Sequence, residues 1–120
     1  MILMSKPNII QLSEFDITQK IIESLSNVCT RAVLFSIKNE SKDATQIADE
    51  LKISISTVYK TLSNLEELAL AEVDKFVISP EGKKIKQYRS RIGKVEITLT
   101  DLEPTLHLYP NTSNPKTNTS

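Results

Sequence analysis

The sequence has no tryptophan, two glycines, one cysteine and one histidine, and nowhere does it run apolar for the length of a membrane span. Each shortage excludes something. Two glycines argue against a turn-rich all-β chain and against the Gly-rich loops that cradle phosphates. A single Cys29 rules out an internal disulfide framework and fits a reducing compartment. Cys29 and His107 stand about 78 residues apart with no ligand cluster beside either, so neither a metal site nor a cofactor is expected. A nucleophile needs a base and an orienting group nearby, and a lone His107 in a polar neighbourhood supplies no such set, so no catalytic residue is expected. The apolar start Met1-Ile2-Leu3-Met4 is too short for a signal segment, and the expectation is a soluble cytoplasmic chain without membrane partners.

What is present is ordinary in amount and unusual in arrangement. At 120 residues, 39% hydrophobic and 25% charged, the chain suits one domain with tails. Net charge is zero, but it is sorted. From Lys75 to Lys94 seven bases face Glu81 alone, a local charge of +6, whereas residues 1–74 carry 7 bases against 11 acids. A basic strip of this kind is what phosphate contacts require; a solvated lysine-rich hairpin is the plainer account.

Along the chain, residues 1–12 read as an irregular arm broken by Pro7 and Asn8, and Ser13 or Asp16 as a helix cap. Ile17, Ile21, Ile22 and Leu25 then mark one helical face. After Ser26-Asn27 comes a second helix, with Val28, Ala32, Leu34, Phe35 and Ile37 apolar enough for burial on more than one side. Asp43 with Gln46 three residues on forms a capping box for a third helix, buried through Ile47, Ala48 and Leu51. Lys52-Ile53-Ser54 is a turn, Ser54 caps a fourth helix, and Val58, Leu62 and Leu65 face its core side. That leaves hydroxyls, an amide, a phenol and an ammonium outside, a surface suited to base edges and phosphates. Two strands flank the turn Ser79-Pro80-Glu81-Gly82, with Val73 and Val77 set on one side and Phe76 on the other. Val95, Ile97 and Leu99 alternate in a further strand, Thr105 to Tyr109 offers another short run, and 110–120 reads as a disordered tail.

Residues 22–91 resemble the winged helix-turn-helix of ArsR-type transcriptional regulators, more loosely of MarR and TrmB types. Ile22 to Arg31 resembles the family's "aLsdptR" opening, Gln46 to Leu51 its "eLAeaL" helix, and Ser54 to Leu62 its "lsqStVsrhL" recognition helix. The Ser79–Lys83 turn stands where such proteins carry the wing. The chain departs from the pattern in holding Lys52 and Ala69 where glycine is usual, in lacking a Cys-x-Cys between Asp43 and Leu51, and in a strand-like 94–109 segment where the family has a long dimer helix.

The expected fold is therefore mainly α with a small β wing (α+β), a winged helix-turn-helix over 13–92 followed by a strand segment at 93–109. The resemblance implies an archaeal or bacterial transcriptional regulator that binds double-stranded DNA as a homodimer, with 55–66 in the major groove and 75–91 on the backbone or minor groove. The residues expected at DNA are Ser54, Ile55, Ser56, Thr57, Tyr59, Lys60, Ser63 and Asn64 on the helix, and Lys83, Lys84, Lys86, Arg89 and Arg91 beyond it. Ile55 either meets a thymine methyl or packs on the wing. Dimer surfaces are expected on helix 16–25 with Ile9–Leu12, and on 94–109. No residue stands out for a small-molecule effector. The alternative function is a winged-helix interaction module in a macromolecular assembly, without sequence readout.

Overall fold

The structure, a computed structural model, describes residues 9–112. Four helices precede four strands: α1 Ile9–Leu25, α2 Val28–Ser36, α3 Ala44–Leu51, α4 Ile55–Glu67, β1 Ala71–Ile78, β2 Lys84–Ser90, β3 Ile92–Thr98 and β4 Thr105–Pro110. The strands form two antiparallel two-stranded sheets, β1–β2 and β3–β4, so the class is α+β. No helix among the described residues is long and apolar enough to cross a membrane.

The helix starts follow from short acceptors in extended backbone. Asn27 accepts from the Thr30 amide, and Ser54 from the Thr57 amide. Asp43 completes a reciprocal box: its carboxylate accepts from the Gln46 amide at 2.8 Å, and the Gln46 side chain accepts from the Asp43 amide at 2.8 Å. The ends of α3 and α4 share one device. Lys52 (φ 59°) and Ala69 (φ 62°) adopt left-handed backbone, and the amides of Ile53 and Leu70 reach back five residues to Ala48 and Leu65. This closure turns Leu70 into the core and Ile53 against it. Neither position holds a glycine, and a side chain in left-handed backbone costs about 1–2 kcal/mol. Lys52→Gly and Ala69→Gly should each stabilise the fold by about 0.5–1 kcal/mol after glycine's larger unfolded-state entropy is deducted, visible as higher urea midpoints.

The core lies where α2, α3 and α4 meet. Val33, Leu34, Ile37, Ile47, Val58, Leu62, Leu65 and Leu70 are shut from solvent, and Ile21 and Leu25 of α1 close one side. Burial of this apolar set dominates the stability of the helical part. The β1–β2 sheet enters through its base, where Ala71 and Tyr88 are buried. Lys42 pairs with Tyr88 along the free edge of β2, exchanging amide-to-carbonyl bonds of 3.1 and 2.8 Å, so the base of β2 is held on both sides.

Several local expectations change. Helix α1 begins by Ile9, so 9–12 are helical rather than irregular; residues 1–8 lie outside the described part. Ser13 and Asp16 sit inside the helix, where Asp16 pairs with Lys20 one turn on at 3.6 Å instead of capping. Helix α2, by contrast, is covered on more than one side as expected: it packs against α1, α3, α4 and β2 and leaves only the stripe of Val28, Arg31 and Phe35 exposed. Leu99 falls just past the end of β3. Pro110 closes β4 and Asn111 is held, its amide donating to the Arg91 carbonyl at 2.8 Å and its side chain to Lys38 and Ser90 carbonyls. Residues 113–120 of the expected tail lie outside the described part.

The two sheets are joined by a kink. The buried Ser90 hydroxyl donates to the Ile92 carbonyl at 2.7 Å and accepts from the Ile92 amide at 3.0 Å, while its own amide donates to Ile37. On β3–β4, cross-strand pairing puts Val95, Ile97, Leu106 and Leu108 on one face and Lys94, Glu96, His107 and Tyr109 on the other. The Tyr109 hydroxyl donates to Glu96 at 2.8 Å and Lys94 lies 3.2 Å from it, which holds the Glu96 carboxyl below the usual range and raises the Tyr109 phenol.

Candidate nucleic-acid interface

Three core-facing residues, Val58, Leu62 and Leu65, fix the rotation of α4 about its axis. The opposite side is therefore dictated: Ile55, Ser56, Thr57, Tyr59, Lys60 and Ser63 are exposed. At the helix start the Ser54 hydroxyl accepts from the Thr57 amide at 3.1 Å and lies 2.8 Å from the Thr57 hydroxyl and 3.2 Å from that of Ser56. Ser54 thus serves the helix, and its neighbours present hydroxyls at the positive end of the helix dipole. Asn64 is turned elsewhere. It is half-buried, and its side-chain amide donates to the Ser24 hydroxyl at 3.0 Å, tying α4 to α1.

The β1–β2 hairpin stands beside this surface. Its tip is closed by Ser79, whose amide donates to the Lys83 carbonyl at 2.8 Å while its hydroxyl accepts from the Lys83 amide at 3.1 Å; Gly82 takes φ 87° as the turn requires. A bulge between Val73 and Lys75 changes the parity of β1. Val73 opposite Tyr88, Phe76 opposite Lys86 and Ile78 opposite Lys84 consequently share one face, continuous with the core at its base. Simple alternation sets Val73 and Phe76 on opposite sides; the extra residue is why they coincide.

Tyr59 of α4, Lys83, Lys84 and Lys86 of the hairpin, and Asp43 and Thr45 at the start of α3 line one groove of about 410 Å³. None of the three lysines is paired with a carboxylate among the described residues. Asp43 is the acid of the groove, and its carboxylate is already engaged by the α3 amide. Tyr88 forms the inner wall, and burial raises its phenol, with Glu66 and Tyr59 adding. A groove with three ammonium groups, a phenol and a threonine hydroxyl offers donors to an anion and a flat apolar surface beside them.

The remaining cations of the strip lie away from it. Arg89 is half-buried opposite Glu72, on the other face of β2. Arg91 follows the strand, its Nε 3.8 Å from Glu72, and seven residues of extended chain separate it from Lys84 by roughly 23 Å. Cys29 is half-buried near the start of α2, and His107 packs against Tyr109 with ring centroids 6.4 Å apart. Among the described residues no three His, Cys, Asp or Glu side chains are grouped to hold a metal ion.

Neither the scan against protein-family models nor the search of curated proteins finds a match to this chain. Phe76 and Ile78 also stand on this hairpin face, and their sequence signal is the apolar run Phe76-Val77-Ile78 beside a turn.

Proposed function

We propose that the chain is a winged helix-turn-helix protein of the ArsR-like kind that binds double-stranded DNA and acts as a transcriptional regulator. Helix α4 enters the major groove and the β1–β2 hairpin, as the wing, holds the backbone or the minor groove. The observation that carries this reading is the shared groove: Tyr59 on the exposed side of α4 and Lys83, Lys84 and Lys86 on the hairpin line one surface. Base contacts then fall to Ser56, Thr57, Tyr59, Lys60 and Ser63, with Ile55 beside them. Specificity sits on a helix with one positive charge on that face, Lys60, so affinity comes mainly from the hairpin.

A homodimer completes the proposal, because two copies of α4 read half-sites one helical turn apart only when held about 34 Å from one another. Two apolar surfaces serve for pairing. One is the outer side of α1 around Ile17; the other runs from Phe35 to Ile97 and Leu108 on β3–β4, where exposed apolar strand residues need a cover.

The test is a titration of nonspecific and selected duplexes at several salt concentrations. Affinity should fall steeply with salt, and Thr57→Ala or Tyr59→Ala should change which selected sequence is preferred. Absence of duplex binding at low salt would favour the second reading, an interaction module that docks partners through the exposed apolar side of β3–β4.

A further inference from the structure

The β1–β2 hairpin carries more apolar surface than a phosphate clamp needs. Phe76 is 50% exposed and Ile78 62%, and they stand on the face that leads back to Tyr88 and the groove beside α4. A hairpin that only met solvent and phosphates would gain nothing from a phenyl ring and a sec-butyl group there. They sit in one column, with Lys86 directly across from Phe76 and Lys84 directly across from Ile78. The Lys84 ammonium lies 4.9 Å from the centre of the Phe76 ring.

We propose that this face is a wedge for the DNA minor groove: Phe76 and Ile78 insert at a base step and unstack it, while Lys84 and Lys86 take the flanking phosphates. The inference rests on the duplex-DNA reading above. Three observations carry it. The bulge between Val73 and Lys75 re-aims Phe76 and Ile78; were β1 paired regularly, alternation from Val73 would send both to the side away from the groove. Lys83, Lys84 and Lys86 beside this face, none of them paired with a carboxylate among the described residues, select an anionic occupant over a protein surface of mixed charge. Apolar side chains flanked by cations are what partial unstacking uses, since the widened groove exposes base faces to the former and phosphates to the latter. A platform for splayed single strands wants open ring faces, and Lys84 covers one face of Phe76. Glu81 at the tip directs the approach through the face rather than end-on, because the tip would bring a carboxylate to the phosphates.

The experiment uses the full chain and a duplex of about 25 base pairs with dyes at both ends and 2-aminopurine beside a TA step, the kind most easily unstacked. The wild-type chain should shorten the end-to-end distance and raise the 2-aminopurine emission at low salt. The Phe76→Ala/Ile78→Ala double variant should bind about tenfold more weakly and give neither signal, with an unchanged melting curve because both side chains are exposed. Phe76→Leu, still apolar and bulky, should retain the bend. Equal affinity, bend and emission from the double variant would overturn the wedge and leave the duplex reading standing. Tighter binding to single-stranded than to duplex DNA would overturn the wedge in favour of a stacking platform. No duplex binding by the wild type would overturn both.

Discussion

Alanine at Lys83, Lys84 and Lys86 together should weaken binding to every duplex alike, by about 100- to 1,000-fold at 0.1 M salt. The size follows from counterion release. Each phosphate neutralised contributes about 0.9 to the slope of log affinity against log salt, so three lost contacts should flatten that slope by roughly 2.7. The triple variant should fold as the parent does, since all three lysines are exposed and unpaired with carboxylates among the described residues. Arg91→Ala should change the slope far less, for Arg91 stands beyond the hairpin next to Glu72. A slope untouched by the triple change would mean that the hairpin does not meet phosphates, and the proposed grip would fail. Sequence preference should survive in the triple variant, because lysines on phosphates position a protein without reading bases.

The proposed separation of grip from readout depends on geometry that the sequence disclosed unevenly. Helices α3 and α4 were legible almost to the residue, because each carries a strong local start signal. Asp43 with Gln46 and Ser54 before Ile55 each satisfy amides that nothing else would satisfy. The ends of these helices were marked less openly. Lys52 and Ala69 occupy left-handed backbone without the glycine that usually announces it, and only the amide bonds of Ile53 and Leu70 reveal the closure. The start of α1 differs from the expected one for a related reason: Asp16 is a good cap by type, but pairing with Lys20 lets it serve inside a helix.

The exposed side of α4 in the candidate site was legible, the hairpin face less so. Periodicity fixes which side of α4 is outside, so Ser56, Thr57, Tyr59, Lys60 and Ser63 followed from Val58, Leu62 and Leu65. Asn64 lies near the edge of that outer arc, where sequence alone does not reveal Ser24 across the gap. Strand parity is more fragile than helix phase, since one inserted residue reverses it. The bulge near Asp74 did this to β1, and it moved Phe76 and Ile78 onto the face of Lys84 and Lys86. Pairing of Lys42 with Tyr88 was equally hidden, because a single bridge between residues 46 apart leaves no local pattern.

Leu62→Ala should cost about 2–5 kcal/mol of stability. Leu62 is 1% exposed and sits between Val58 and Leu65 on the inner side of α4, so its removal leaves a void in the buried cluster. Against a total of about 5–15 kcal/mol for a domain of this size, that loss should lower the melting temperature by about 10 °C or more. Ser56→Ala, on the same helix but exposed, should stay within about 0.5 kcal/mol. Calorimetry on both variants checks the packing, and duplex binding measured well below the melting point checks the division of roles. The folded Leu62→Ala chain should bind DNA close to normally, whereas Tyr59→Ala should melt close to normally and bind with altered preference. If Leu62→Ala melted like the parent, α4 would not be held by this core, and its exposed side would lose the fixed rotation on which the proposed base readout depends.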